Sequence, residues 1–227
     1  MHSDKGNAGN TMNVNLMALK FYFEQVLGRK MWIDIKYSKV PERIQRVLTK
    51  EEVRKLLGEI KNEKHRLMME LIYSAGLRVS EVVNLKVKDL VLDKDYGFVR
   101  NGKGGKDRLF ILAFVVKEKI KNLIFVGKLN SEDYVFVSNR KNKYSIRSLQ
   151  QIIKKSAKSA ELDWRNIHCH TLRHSFATHL IEQGDSVGDV QVMLGHKSPE
   201  TSIGYVHSSG QMIKIKSPLD SLCYGGN

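Results

Sequence analysis

The sequence predicts a mostly α-helical domain of α+β class carrying one small antiparallel β-hairpin, and three observations predict it. Apolar residues recur at three- and four-residue steps through most of the chain. In one place, two runs rich in β-branched and aromatic residues, Tyr96 to Arg100 and Arg108 to Leu112, flank Asn101-Gly102-Lys103-Gly104-Gly105. The 227 residues, at roughly 150 per domain, leave room for one domain and about half of another.

Residues 1 to 12 are dominated by small and polar side chains and read as a disordered tail. From Asn13 the residues Leu16, Leu19, Tyr22, Phe23 and Val26 form an apolar stripe that ends near Gly28. A lone helix cannot bury its own stripe, so it either packs on the main domain or closes a separate helical one. Lys36 to Arg46, around Pro41, reads as a linker, and the main domain is expected from residue 48 to 227. It opens at Thr49-Lys50-Glu51-Glu52, a capping box ahead of Val53, Leu56, Leu57 and Ile60. A second helix with Leu67, Met68, Leu71 and Ile72 stops at Gly76, and Ser80 is expected to cap a third, with Arg78 in the turn between them. After the hairpin, helices are expected at 115–124, 145–160, 172–183 and 187–194. Ser198-Pro199-Glu200 then opens a last short helix bearing Ile203 and Tyr205.

The charge narrows the function classes. Lys and Arg number 38 against 24 Asp and Glu, a formal +14, while 41% of the residues are apolar. Such a chain folds, and its natural partner is a polyanion. Residues 140 to 165 hold eight Lys or Arg, including Arg147, Lys154, Lys155 and Lys158, against Glu161 and Asp163. Taken alone the run reads as a solvated helix face; in a chain this basic, a surface that tracks phosphates is as good a reading. No apolar run reaches the ~18 residues of a membrane span and the first residues lack a secretory core, so a cytoplasmic, nucleoid-associated protein with no membrane contact is expected. Cys169 and Cys223 are far apart, which argues against a disulfide framework or a thiolate metal site.

Several polar residues carry candidate chemistry only in combination. His170 and Arg173, in His170-Thr171-Leu172-Arg173-His174, share a helical face; His196 follows a helix end and Tyr205 comes nine residues later. A zinc site on His170 and His174 lacks the HExxH glutamate and would place Arg173 beside the metal. The stretch Gly97 to Lys103 has P-loop spacing, but Gly104 stands where Ser or Thr would hold magnesium, and strand rather than helix surrounds it. No GxSxG nucleophile elbow occurs. Two arginines, a lysine, two histidines and a tyrosine suit phosphoryl transfer without a metal or other cofactor. Guanidinium forks meet phosphate oxygens in pairs. A tyrosine hydroxyl of pKa ~10 needs a cationic pocket and a base to become a nucleophile.

Five blocks in order, Ala75-Gly76-Leu77-Arg78-Val79-Ser80-Glu81, Gly102-Lys103-Gly104-Gly105-Lys106-Asp107-Arg108, His170 through Leu180, Leu194-Gly195-His196-Lys197-Ser198 and Tyr205-Val206-His207, resemble the tyrosine recombinase (phage integrase) family, and especially its Xer-like branch. The closing Ile215-Lys216-Ser217-Pro218-Leu219-Asp220 resembles the tails of archaeal members. The resemblance implies roles residue by residue. Arg78 and Arg173 bind the scissile phosphate of double-stranded DNA, Lys103 protonates the leaving 5′ oxygen, and His170 is the general acid/base. His196 hydrogen-bonds the phosphate, Tyr205 forms a 3′-phosphotyrosyl link, and Glu81 steadies the site. It also implies a homotetramer on two duplexes and no ATP. Members usually begin with a helical DNA-clamp domain, and residues 13 to 47 resemble only its last helix and linker. A DNA-binding module without full recombination activity is therefore the alternative, and a type IB topoisomerase would share the chemistry.

Overall fold

The structure is a computed structural model that describes residues 9–30, 36–38, 45–100, 107–138, 142–195 and 215–224. The chain divides into two units, residues 1–44 and 45–227. In the first unit, α1 (Gly9–Phe21) runs directly into a five-residue π-helical turn, Tyr22–Val26. The helix therefore starts within the stretch read as a tail. The Asn13 side chain brackets Ser38, donating from Nδ2 to its carbonyl at 3.0 Å and accepting its N–H at 2.8 Å on Oδ1. Leu19, Tyr22, Phe23 and Val26, the apolar stripe of the sequence, are exposed.

The second unit is built around one helix. α2 (Lys50–Gly58) begins at the expected capping box: Thr49 Oγ1 accepts from Glu52 N–H at 3.1 Å, and Glu52 returns the bond to Thr49 N–H at 2.9 Å. α3 (Glu63–Ala75) starts at Asn62, whose side chain accepts from His65 N–H at 3.0 Å. Every residue from Leu67 to Ala75 is buried, which a helix wrapped on all sides by others requires. Gly76 ends it with a φ of +60°, a conformation that costs a side-chain-bearing residue roughly 1–2 kcal/mol. A Cβ at Gly76 would also stand 2.6 Å from the Phe176 ring. α4 (Val79–Asn84) then starts one residue before Ser80, with Arg78 at the N-cap position. Glu81 does the capping from within the first turn, accepting the Arg78 N–H at 2.7 Å.

The sheet has three antiparallel strands in the order β1 (Leu90–Val91), β2 (Tyr96–Val99), β3 (Arg108–Ile111). β2 and β3 form the expected hairpin, with Val99 opposite Arg108 and Tyr96 opposite Ile111. The hairpin tip, with Lys103, lies outside the described residues. β1 is an addition to the sequence reading. α5 (Phe114–Gly127), α6 (Ile146–Ser159) and α8 (Val187–Met193) fall where the periodicity places them. α7 (Cys169–Glu182) begins three residues earlier than expected, which puts His170 in its first turn. α9 (Pro218–Tyr224) closes the described chain. The helix expected to carry Tyr205 lies outside the described residues.

α3 packs most extensively on α7, and the two are also joined by a buried polar bond, Tyr73 Oη to His179 Nδ1 at 2.8 Å. The N-terminus of α2 is tied to α7 where Leu48 N–H donates to Ser175 Oγ at 2.9 Å. No described helix is long and apolar enough to cross a membrane. Cys169 is buried, and burial pushes its thiol up to about 12, leaving it an unreactive core residue.

Candidate active site

Two helix ends meet beside α3. The left-handed turn at Gly76 delivers Arg78 to the start of α4, one further turn brings Glu81, and the C-terminal end of α8 presents the Leu194 carbonyl and Gly195. Arg173 enters from α7, where its side chain is 7% exposed, and Arg108 from β3, where it is 5% exposed. Charge this deeply buried must be paired.

Glu81 supplies the pairing. Its Oε1 accepts from Arg78 Nη1 at 2.7 Å, and its Oε2 accepts from Arg108 Nη2 at 2.5 Å as well as from the Arg78 N–H. Arg173 Nη1 stands 4.0 Å from the same Oε2. Burial alone would raise the Glu81 carboxyl, but Arg108 and then Arg78 outweigh it and hold the group below its ordinary value. Arg173 is anchored by carbonyls: Nη1 donates to Gly76 and Nη2 to Leu194 at 2.6 Å. Burial, with help from Arg108 and Arg78, pushes Arg173 down to about 9, which leaves it charged at neutral pH. Arg78 Nη2 makes a longer 3.5 Å contact to the same Leu194 carbonyl, so the two guanidiniums converge on one backbone oxygen. A guanidinium has five N–H donors. Among the described residues, the side-chain bonds of Arg78 and of Arg173 use two of the five in each case. A neighbourhood of three cations and one carboxylate suits an anion with several oxygens.

His170 is exposed on the first turn of α7. Its neighbour His168 is held below the ordinary histidine value by partial burial, then by Lys154 and by His170 itself, so these three groups share one field. Lys154 belongs to α6, which buries Leu149, Ile153, Ser156 and Ala157. Arg147, Lys154 and Lys158 lie seven and four residues apart along that helix, a spacing that lines them up on the face away from the core. Arg147, Lys155 and Lys158 are exposed and Lys154 is partly covered. Lys154 and Arg165 also flank the Trp164 ring, at 6.0 and 5.6 Å from its centre.

Of the sequence-predicted site residues, the structure thus brings Arg78, Glu81 and Arg173 together and puts His170 beside the basic face of α6. Lys103, His196 and Tyr205 lie outside the described residues. The family model described as the phage integrase family matches residues 46–212. The chain belongs to this family.

Among its relatives, this integrase-family chain is 37% identical over 195 residues to the tyrosine recombinase XerA of Pyrococcus horikoshii, a match covering 85% of this chain and 67% of the relative. It is 35% identical over 215 residues to XerA of Pyrococcus furiosus, covering 92% of this chain and 74% of that one. The crystal structure of XerA recombinase superposes with a TM-score of 0.62 at 26% identity, over 92% of this chain and 75% of that one. A XerH site-specific recombinase bound to its palindromic difH substrate superposes at 0.68 and 25% identity, over 92% of this chain and 65% of that one. The chain is thus an Xer-like tyrosine recombinase in family and in fold.

One residue of this cluster is not picked out by the sequence. Arg108 reads as an ordinary strand residue, yet β3 alternates so that Arg108 and Phe110 face the core together. A cation on the buried face of a strand demands a partner, and that is the signal its position carried. A Cβ at Gly195, whose φ is +68°, would stand 2.6 Å from Arg108 Cδ, so the glycine makes room for this side chain.

Proposed function

We propose that this chain performs site-specific DNA recombination, cutting and rejoining one strand at a time through Tyr205. The observation that carries the reading is the convergence of Arg78 and Arg173 on the Leu194 carbonyl, with Glu81 fixing Arg78. Two forks converging at one place fit the non-bridging oxygens of a single phosphodiester. Their positive charge also matches the negative charge that builds on those oxygens during transfer.

The Tyr205 oxygen attacks phosphorus as its proton passes to a base, the role assigned to His170. The bond from phosphorus to the 5′ oxygen breaks, and Lys103 protonates that oxygen. His196 donates to the phosphate. A 3′-phosphotyrosyl link results, and a 5′-hydroxyl from a partner strand later attacks it, freeing Tyr205. The bond order at phosphorus is conserved, so neither ATP nor a metal enters the balance. Double-stranded DNA is the substrate, with Arg147, Lys154, Lys155 and Lys158 lying along its phosphates, and four copies act on two duplexes. α1, with the apolar stripe that runs from Leu16 to Val26, is the counterpart of the last clamp helix.

The test is incubation with a nicked duplex from which the cleaved fragment diffuses away. A covalent protein–DNA adduct with wild type that Tyr205→Phe does not form is the expected result. Salt-sensitive DNA binding without any adduct would leave the chain a binding module. Relaxation of plasmid without sequence preference would point to a topoisomerase.

A further inference from the structure

Arg108 has no part in the chemistry proposed above, yet it is as deeply buried as Arg173 and touches both α4 and the end of α8 in the arginine cluster. Its Nη2 donates to Glu81 Oε2 at 2.5 Å and its Nη1 to the Met193 carbonyl at 2.8 Å. Its Cδ lies over Gly195. Among the described residues its Nε has no hydrogen-bond partner, and the Glu81 carboxylate and the Met193 carbonyl fix the plane of the guanidinium. A buried donor left in this way is uncommon in a folded protein.

We infer that Arg108 is a positioning residue that keeps the Glu81 carboxylate from neutralising Arg78 and Arg173, so that both guanidiniums stay aligned and charged for a phosphate. The inference rests on the proposed reading of those two arginines as phosphate ligands. Glu81 faces three cations: its Oε1 is held by the Arg78 guanidinium, and its Oε2 is shared by Arg108 Nη2 and the Arg78 N–H. Without that donor the carboxylate belongs to Arg78 alone, and the nearest cation it can recruit is Arg173 Nη1, 4.0 Å away. Drawing Arg173 toward Glu81 pulls it off the Gly76 and Leu194 carbonyls that orient its fork. Arg108 comes from β3, whereas Glu81 is on α4 and Met193 on α8. The side chain therefore ties Glu81 of α4 to two further elements, β3 and α8.

The experiment measures single-turnover adduct formation on the nicked duplex at saturating protein, together with DNA affinity and thermal unfolding. The set is wild type, Arg108→Met, Arg108→Lys, Glu81→Gln and the Glu81→Gln/Arg108→Met double variant. Arg108→Met is expected to slow cleavage about tenfold to a hundredfold, the range a small misplacement of reacting groups produces, with DNA affinity unchanged. The double variant is expected to cleave faster than Arg108→Met, because the charge that Arg108 restrains is gone. Wild-type cleavage by Arg108→Met, or losses that simply multiply in the double variant, overturns the inference. Should Arg108→Met not fold, Arg108→Lys decides. Lysine keeps the charge but cannot hold Glu81 and Met193 at once, so slower cleavage at unchanged affinity supports the role and the wild-type rate overturns it. A second arm needs no chemistry: inorganic phosphate is expected to raise the unfolding temperature of wild type more than that of the folded Arg108 variant, and an equal rise overturns the inference. Absence of an adduct from wild type would instead sink the functional reading, with the phosphate arm still deciding Arg108.

Discussion

The cluster around Glu81 and the basic face of α6 both concentrate positive charge, and they use it in opposite ways. In the cluster, Arg108 and Arg173 are buried and Arg78 partly so, and the guanidiniums are fixed by carbonyls and a shared carboxylate. On α6 the cations are largely exposed, lie along one face, and have no such anchors in the described bonds. Buried charges are little screened by salt, and exposed ones separated by about a Debye length, ~10 Å at 0.1 M, are screened strongly. The first arrangement can act on a particular phosphate, and the second can hold any phosphate nearby. The formal charge of +14 is therefore two devices rather than one.

The comparison is most easily broken at Arg173. Replacing it with alanine removes one of the two proposed phosphate ligands and leaves the Gly76 and Leu194 carbonyls without its donors. Adduct formation is expected to fall about a thousandfold, the scale of losing a transition-state donor, and a thermal melt should drop as well. Retained adduct formation would show that the cluster does not act on the reacting phosphate.

The acid limb of the stability curve comes next. Glu81 is held below its ordinary value of 4.5, so the stability it contributes is fully present above that pH and is lost as pH falls through its lower folded value. In denaturant titrations at stepped pH, wild type should lose stability below about pH 4.5 more steeply than Glu81→Gln. Equal slopes would mean that the carboxylate is not held by the arginines.

The smallest effects belong to α6. Lys154→Ala and Lys158→Ala should each reduce the slope of log affinity against log salt by about one, with unfolding temperature unchanged. A lost adduct rate at saturating protein, rather than a changed salt slope, would merge the two regions into one.

Most of the helices could be read from the sequence because each carries its own period and cap: Thr49 with Glu52, and Gly76 with its positive φ, are local signals. Starts were missed where the cap is not a side chain of the usual type. α4 begins after Arg78 because Glu81 binds the Arg78 N–H from within the helix, and α7 begins after His168, which makes no side-chain cap. β1 is two residues long, too short for any period to show. In the site, Arg78, Glu81 and Arg173 were found through the motifs that hold them. Arg108 was not, since its role depends on Gly195 and Met193, more than eighty residues away, meeting it in space. A residue defined by such contacts leaves only a faint trace in the chain, here a cation where strand alternation calls for an apolar side chain.

The division of labour between buried and exposed charge is tested most directly by measuring DNA affinity and the single-turnover rate of adduct formation side by side, from about 50 to 200 mM salt, at saturating protein. Affinity should fall steeply across that range while the rate constant for adduct formation holds level. A rate constant that falls in step with affinity would contradict the account, because the charge acting on the reacting phosphate would then be as exposed as the charge that holds the DNA.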